Sequence, residues 1–264
     1  MLNIGWFSTG RDEAARQLLQ AVQEEIRNGE IKGRIAFVFS NREPGESRQS
    51  DLFFELVRGY GLPLVCLSHR KFRASTQGTE DYRPEYDRQL GERIRGFAPD
   101  LCVLAGYMLI VGQALCQEYA MINLHPAPPG GPTGSWQEVI WKLIEGQVGQ
   151  AGAMMHLVTP DLDRGPVVSY CVFPIKDRPF YRYWQNGDRE MLFQLIRRHE
   201  LAREFPLIIF TLQALGRGEI SIRDGRIVDA QGRTTGGYDL SDRVDKAVTD
   251  GIASIGSPRR MKKQ

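Results

Sequence analysis

An α/β fold, doubly wound and Rossmann-like around a mostly parallel sheet, is what this sequence predicts, on three observations. Strand-like apolar runs alternate with stretches of helical period along most of the chain. Ser, Gly, Pro and Asp punctuate nearly every junction, as repeated βα units require. The 264 residues are 42% hydrophobic and 25% charged, which suits one large domain, or one domain with a small appendage, around a sizeable core.

Leu2 to Phe7 reads as the first strand, and Asp12 to Asn28 as the helix that follows it. Gly33 to Ser40 is a second strand, Asp51 to Tyr60 a helix, and Leu64 to Leu67 a short strand. Arg83 to Gly96, Leu101 to Ala105, Met121 to Leu124 and Trp136 to Glu145 continue the helix, strand, strand, helix rhythm. Ala153 to Val158 and Val167 to Ile175 look like two strands joined across a loop at Asp163, followed by a long helix from Glu190 to Leu215. Asp224-Gly225 between Glu219 to Ile222 and Arg226 to Val228 signals a hairpin. The charge-rich end, closing Ser257-Pro258-Arg259-Arg260-Met261-Lys262-Lys263-Gln264, reads as a mobile basic tail. Residues 1–215 are therefore expected to form the main domain, with 216–264 a C-terminal hairpin and tail.

A net charge of +2 is too small to imply a nucleic-acid or membrane partner, because phosphate-backbone binding needs a concentrated basic face. Cys66, Cys102, Cys116 and Cys171 lack paired spacing and read as small buried hydrophobes in a reducing compartment. His69, His156 and His199 show no ligand spacing, so no metal is expected, and His156 is placed to brace the Asp163 loop. The run from Leu101 to Cys116 contains Gly106, Gly112 and Gln113 and is short for a membrane span; a buried strand, a loop and a helix start explain it better. With no export-signal pattern, the expectation is a cytoplasmic protein acting on small molecules, as a monomer or homodimer. Gly59-Tyr60-Gly61 precedes a strand, so it is no dinucleotide fingerprint, and Gly130 to Ser135 lacks the lysine of a phosphate-binding NTPase loop.

The residues that carry chemistry sit at two strand ends. Asn123-Leu124-His125-Pro126 closes one apolar run, and Asp163, Gly165 and Pro166 border another. An amine attacking an acyl carbon needs its carbonyl polarised, its proton managed and the resulting imidazolium held, and an amide, an imidazole and a carboxylate supply those needs in order. Asn123 and a protonated His125 are the expected donors to the developing oxyanion, each worth roughly 3 kcal/mol. A carboxylate accepting from the ring is expected to raise the histidine pKa and fix its tautomer. The same residues also suit plain turn chemistry, since Pro126 forces its neighbour into an extended conformation and Asn tolerates turns.

Ser8-Thr9-Gly10-Arg11-Asp12 ends the first strand and opens a helix, where backbone N–H groups can hold a phosphate with Arg11 adding charge. Ordinary capping by Thr9 or Asp12 explains the segment equally well. In open α/β sheets, ligands bind outside the carboxyl ends of the strands, so both segments lie where a substrate is expected.

Taken together, Asn123-Leu124-His125-Pro126 and His156-Leu157-Val158-Thr159-Pro160-Asp161-Leu162-Asp163-Arg164-Gly165-Pro166 resemble the paired signature of the formyltransferase family. The resemblance extends through Val38-Phe39-Ser40-Asn41-Arg42, Tyr86-Asp87-Arg88-Gln89-Leu90, Ala98-Pro99-Asp100 and Val103-Leu104-Ala105-Gly106-Tyr107-Met108, over residues 1 to 215 in unbroken order. It implies that Asn123, His125 and Asp163 are the catalytic trio, and that 10-formyltetrahydrofolate is the co-substrate. It also implies that Tyr107-Met108-Leu109-Ile110-Val111 forms the loop holding the pteridine, with Leu104 on the wall, Asp161 to Asp163 opposite and Arg83 near the folate tail. Leu109 stands where the family usually has Arg. Read without the resemblance, Leu104 to Val111 is simply core.

The departures from the family cluster on the acceptor side. Arg11-Asp12-Glu13 replaces a glycine-richer phosphate loop, and two carboxylates beside a phosphate are unfavourable unless they point away. Ala127-Pro128-Pro129-Gly130-Gly131-Pro132-Thr133-Gly134-Ser135 makes a differently shaped rim after Pro126, framing the acceptor. The family's acceptor-binding Glu has no residue in register, with Glu200 a nearby carboxylate. The resemblance implies formyl transfer to a primary amine, with glycinamide ribonucleotide in purine biosynthesis as default acceptor and Thr9, Gly10, Arg11, Asp12 and Pro126 on its side. The alternatives are an amino sugar nucleotide as acceptor, formyltetrahydrofolate hydrolysis, or a non-catalytic folate- or nucleotide-binding role.

Overall fold

The computed structural model describes residues 1–76 and 82–251. In chain order, β1 (Leu2–Phe7), α1 (Glu13–Arg27), β2 (Gly33–Ser40), α2 (Arg48–Gly59) and β3 (Leu64–Cys66) make the first parallel half. They are followed by α3 (His69–Ser75), α4 (Arg83–Ile94), β4 (Leu101–Leu104), α5 (Gln113–Glu118), β5 (Met121–His125) and α6 (Trp136–Glu145). The chain then runs through β6 (Gln150–Leu157), β7 (Val167–Pro174), α7 (Tyr181–Asn186) and α8 (Arg189–Arg217). It closes with β8 (Ile220–Arg223), β9 (Arg226–Asp229), β10 (Tyr238–Asp239) and α9 (Ser241–Thr249).

The main sheet has the order β10-β7-β6-β5-β4-β1-β2-β3, with only the β5–β6 and β6–β7 pairings antiparallel. The chain builds outward from β1 to β3, then returns to lay β4 on the other side of β1. The resulting switch point opens a crevice at the carboxyl ends of β1 and β4.

Alternation along the strands separates two faces. Ile4 and Trp6 point to the side packed by Leu19 and Val22 of α1, Phe53 of α2, and Ile208 and Leu212 of α8. Phe7, Phe37 and Phe39 point to the other, under Tyr86, Leu90 and Ile94 of α4. A third cluster joins α6 to the start of α8 through Val139, Ile140, Phe193 and Ile196. Gly5 is required between the faces, because a Cβ there would stand 2.6 Å from the Phe37 ring.

The structure corrects the reading of the C-terminal part. Where a tail was expected after the β8–β9 hairpin, β10 pairs in parallel with β7, and α9 buries Val244 and Ala247 against the domain. A two-residue strand and a nine-residue helix leave little periodic signal, and both are held by tertiary packing. Three more short elements, α3, α5 and α7, lie where loops or only a helix start were expected. The Ser257 to Gln264 segment lies outside the described residues. Among the described residues, no helix is long and apolar enough to cross a membrane.

Candidate active site

A cavity of about 420 Å³ opens at the carboxyl edge between β1, β4 and β5. The end of β5 supplies its floor. Asn123 and His125 are two residues apart on one strand and so face the same side, and both line the cavity. Asn123 is also the cross-strand partner of His156 on antiparallel β6, which brings Asn123 Nδ2 to 3.2 Å from His156 Nε2. His156 Nδ1–H donates to the Leu157 carbonyl at 2.8 Å, leaving Nε2 to accept from the Asn123 amide. One N–H of that amide is thereby fixed and the second is left for a ligand.

His125 is buried and donates from Nε2 to the Pro132 carbonyl at 2.9 Å. Its Nδ1 stands 3.6 Å from Asp163 Oδ2, and Asp163 Oδ1 stands 3.6 Å from His156 Nε2, so one carboxylate faces two imidazoles. The Gly134 N–H donates to Asp163 Oδ2 at 3.3 Å. Asp163 occupies the left-handed region at φ 54°, a conformation that costs a non-glycine residue about 1 kcal/mol or more and persists only where surroundings impose it. Two residues on, the loop runs close against β6 at Gly165, where any Cβ would fall 1.8 Å from the Leu157 carbonyl oxygen.

Burial pushes the His125 pKa down, and the Pro132 carbonyl and Asp163 pull it up without overcoming burial, so it lies below the ordinary histidine value. The expectation that the carboxylate would raise it holds only for that one contribution, and the protonated oxyanion donor expected at His125 is instead a ring whose pKa burial lowers and whose Nε2–H is given to Pro132. For Asp163, burial pushes the carboxyl up but is outweighed by His156 and His125 in their protonated forms and by the Gly134 N–H, which hold it below the usual carboxylate value.

Leu104, Met108, Leu109, Ile110 and Val111 all line one wall, and Leu162 joins them. Met108, Ile110 and Leu162 keep about half their surface exposed at 45%, 52% and 49%, an uncovered apolar mouth suited to a flat heteroaromatic ring. The loop is anchored from below by the Gly112 N–H, which donates to Asp87 Oδ2 at 2.6 Å. Arg83 and Asp161 are not on this wall. The Arg83 guanidinium lies over the Tyr82 ring, 5.9 Å from its centroid, and the exposed Asp161 turns its carbonyl to the Thr159 hydroxyl.

On the opposite side, Arg11, Asp12 and Pro126 line the cavity, but Thr9 and Gly10 do not. The Thr9 hydroxyl is a strut, donating to Asn41 Oδ1 at 2.7 Å and accepting from the Met108 N–H at 3.0 Å. Gly10 at φ 62° packs on Phe53. Asp12 caps α1 by accepting from the Ala15 N–H at 3.0 Å. Glu200 lies fully buried with both carboxylate oxygens unpartnered among the described residues, and it is Glu204 that enters the cavity. Glu204 receives Arg197 at 2.6 Å, and Arg197 also lies over the Trp136 ring. Trp136, Arg197 and Glu204 are cavity residues that the sequence reading misses, and His156, expected only to brace the Asp163 loop, lines the cavity as well. The seven-residue spacing of Arg197 and Glu204, two turns on one helix face, was the available signal.

A family model described as formyl transferase matches residues 13–178. The chain is 32% identical over 164 residues to phosphoribosylglycinamide formyltransferase of Escherichia coli (strain K12), covering 60% of this chain and 68% of that protein. Its counterpart in Schizosaccharomyces pombe (strain 972 / ATCC 24843) is 30% identical over 166 residues, covering 60% and 77%. Among solved structures, glycinamide ribonucleotide transformylase 1 from Symbiobacterium toebii superposes with a TM-score of 0.66 at 25% identity, over 86% of this chain and 93% of that one.

Proposed function

We propose a function on one premise: this chain belongs to the formyl transferase family. It is an enzyme, a formyltransferase of one-carbon metabolism. In our reading its donor is 10-formyltetrahydrofolate and its acceptor is the amine of glycinamide ribonucleotide, the substrate for which the curated relatives are named, in purine biosynthesis. The observation that carries the reading is the convergence of Asn123, His125 and Asp163 on one cavity beside an uncovered apolar wall.

The apolar wall of Leu104, Met108, Ile110 and Val111 fits the pteridine, and the main chain of residues 109 and 110, beyond the Met108 N–H that Thr9 holds, is placed to meet its polar edge. With the formyl carbon over β5, the free Asn123 N–H donates to its oxygen as charge develops there. The acceptor nitrogen forms its bond to the formyl carbon as the bond from that carbon to the folate nitrogen breaks. The proton shed by the amine passes to His125, whose charged form Asp163 stabilises, and returns to the departing folate nitrogen. His125 is neutral before the reaction because burial depresses its pKa, so it begins as a base. Residues 1–215 carry this chemistry, β10 and α9 complete the sheet edge at β7, and the partners are small molecules of the cytoplasm.

The test is release of tetrahydrofolate from 10-formyltetrahydrofolate, followed by absorbance with and without glycinamide ribonucleotide. Release that requires glycinamide ribonucleotide supports the reading. Equal release without any amine indicates hydrolysis, and release only with an amino sugar nucleotide replaces the acceptor; either result overturns it.

A further inference from the structure

The helix N-terminus that opens after β1 is already occupied by the chain itself. Asp12 Oδ1 accepts the Ala15 N–H, and Ser8 Oγ accepts the Gly10 N–H at 3.2 Å. A phosphate placed there would meet the repulsion of the Asp12 carboxylate. Positive charge gathers elsewhere on the same rim. The strands β1, β2 and β3 are neighbours in the sheet, and each is followed within four residues by an arginine: Arg11, Arg42 and Arg70.

Hydrogen bonds hold the three loops together. The Thr9 hydroxyl donates to Asn41 Oδ1, and the His69 N–H donates to the Asn41 carbonyl at 3.1 Å. Ser50 Oγ donates to the Thr9 carbonyl at 3.0 Å and accepts from Arg42 Nη1 at 3.1 Å. Among the described residues, Arg42 is therefore braced by a neutral hydroxyl and not by an ion pair. Burial and the nearby Arg70 and Arg11 guanidiniums all lower its pKa, and Glu46 alone opposes them. Arg70 makes no ion pair among the described residues. Arg11 touches Asp12 through Nε at 3.4 Å, which leaves its terminal nitrogens free, and it lines the cavity. Of the three, Arg11 lines the cavity while Arg42 and Arg70 sit on the tied loops beside it, and like charges gathered on adjoining loops are relieved by an anion that bridges them.

We propose that Arg42 and Arg70, together with Arg11, form an anion site for the phosphomonoester of the acceptor, replacing the helix N-terminal cradle that Asp12 fills. The inference rests on the proposed transfer to a phosphorylated amine. Arginine suits the role because its planar fork binds two phosphate oxygens at once.

The test uses the full chain and the double variant Arg42→Met/Arg70→Met. Inorganic phosphate is titrated into each by calorimetry, and KM is measured for glycinamide ribonucleotide and for 10-formyltetrahydrofolate carrying one or five glutamates. The site predicts phosphate binding about tenfold or more weaker in the variant. It also predicts a matching rise in KM for glycinamide ribonucleotide, an unchanged kcat, and folate KM values that do not move. Equal phosphate affinity in the two proteins overturns it. So does a loss that grows with the number of folate glutamates, which would assign the arginines to the folate tail. If the wild type does not formylate glycinamide ribonucleotide, the acceptor reading fails, and the phosphate titration still decides the site.

Discussion

Nε2 of His125 donates to the carbonyl oxygen of Pro132 at 2.9 Å, and this bond turns the other ring nitrogen toward Asp163. The proline- and glycine-rich rim that departs from the family pattern thus sets the orientation of the histidine. Gly134 of the same rim donates to Asp163, so one loop touches both members of the pair.

The first prediction concerns protonation. Burial holds His125 below 6.5 while Asp163 pulls upward. An NMR titration should place its midpoint below 6.5, and lower still in Asp163→Asn. The unfolded chain takes up this proton before the folded one does. The contribution to stability is therefore complete above 6.5 and is lost as pH falls through the folded value. Tm should fall on acidification across that window.

A second prediction separates positioning from binding. His156 fixes the Asn123 amide through Nε2. His156→Phe should lower kcat about tenfold or more while leaving both KM values near wild type. A raised KM with unchanged kcat would place His156 in substrate binding instead.

Stability should respond sharply at Gly165. A methyl group there meets the Leu157 carbonyl at 1.8 Å, so the loop carrying Asp163 must shift. Gly165→Ala should cost about 3 kcal/mol in urea unfolding. A change below about 1 kcal/mol would show that the loop adapts.

Parts of this site were legible in the sequence for identifiable reasons. The β1 to β5 alternation follows from local period and punctuation, Asn123 and His125 close β5, and Asp163 lies in the loop that joins β6 to β7. Arg83 and Asp161 lie near the expected wall in sequence, but their direction is set by Tyr82 and by the Thr159 turn, which no linear pattern encodes. Glu200 and Glu204 are one turn apart on α8, and which of them reaches the cavity depends on how that helix packs against β6 and α6. The same holds for Trp136 and Arg197, which meet only across two helices.

The buried Glu200 gives a fourth prediction. Burial raises its carboxyl pKa well above 4.5, Glu204 adds to this, and Arg197 opposes it. With the folded value raised, stability is greatest below the unfolded pKa and declines as pH climbs through the folded one. Glu200→Met should therefore stabilise the protein at pH 8 by about 2 kcal/mol, and by much less at pH 4. Chemical denaturation at the two pH values measures the difference. A destabilised variant at pH 8 would mean that the carboxylate has a partner.

The most direct test of the account is kcat for acceptor-dependent tetrahydrofolate release by His125→Ala against the wild type, with folding checked by circular dichroism. A base held between Pro132 and Asp163 predicts a fall of about a hundredfold or more in a folded variant. Turnover within a fewfold of wild type would contradict it.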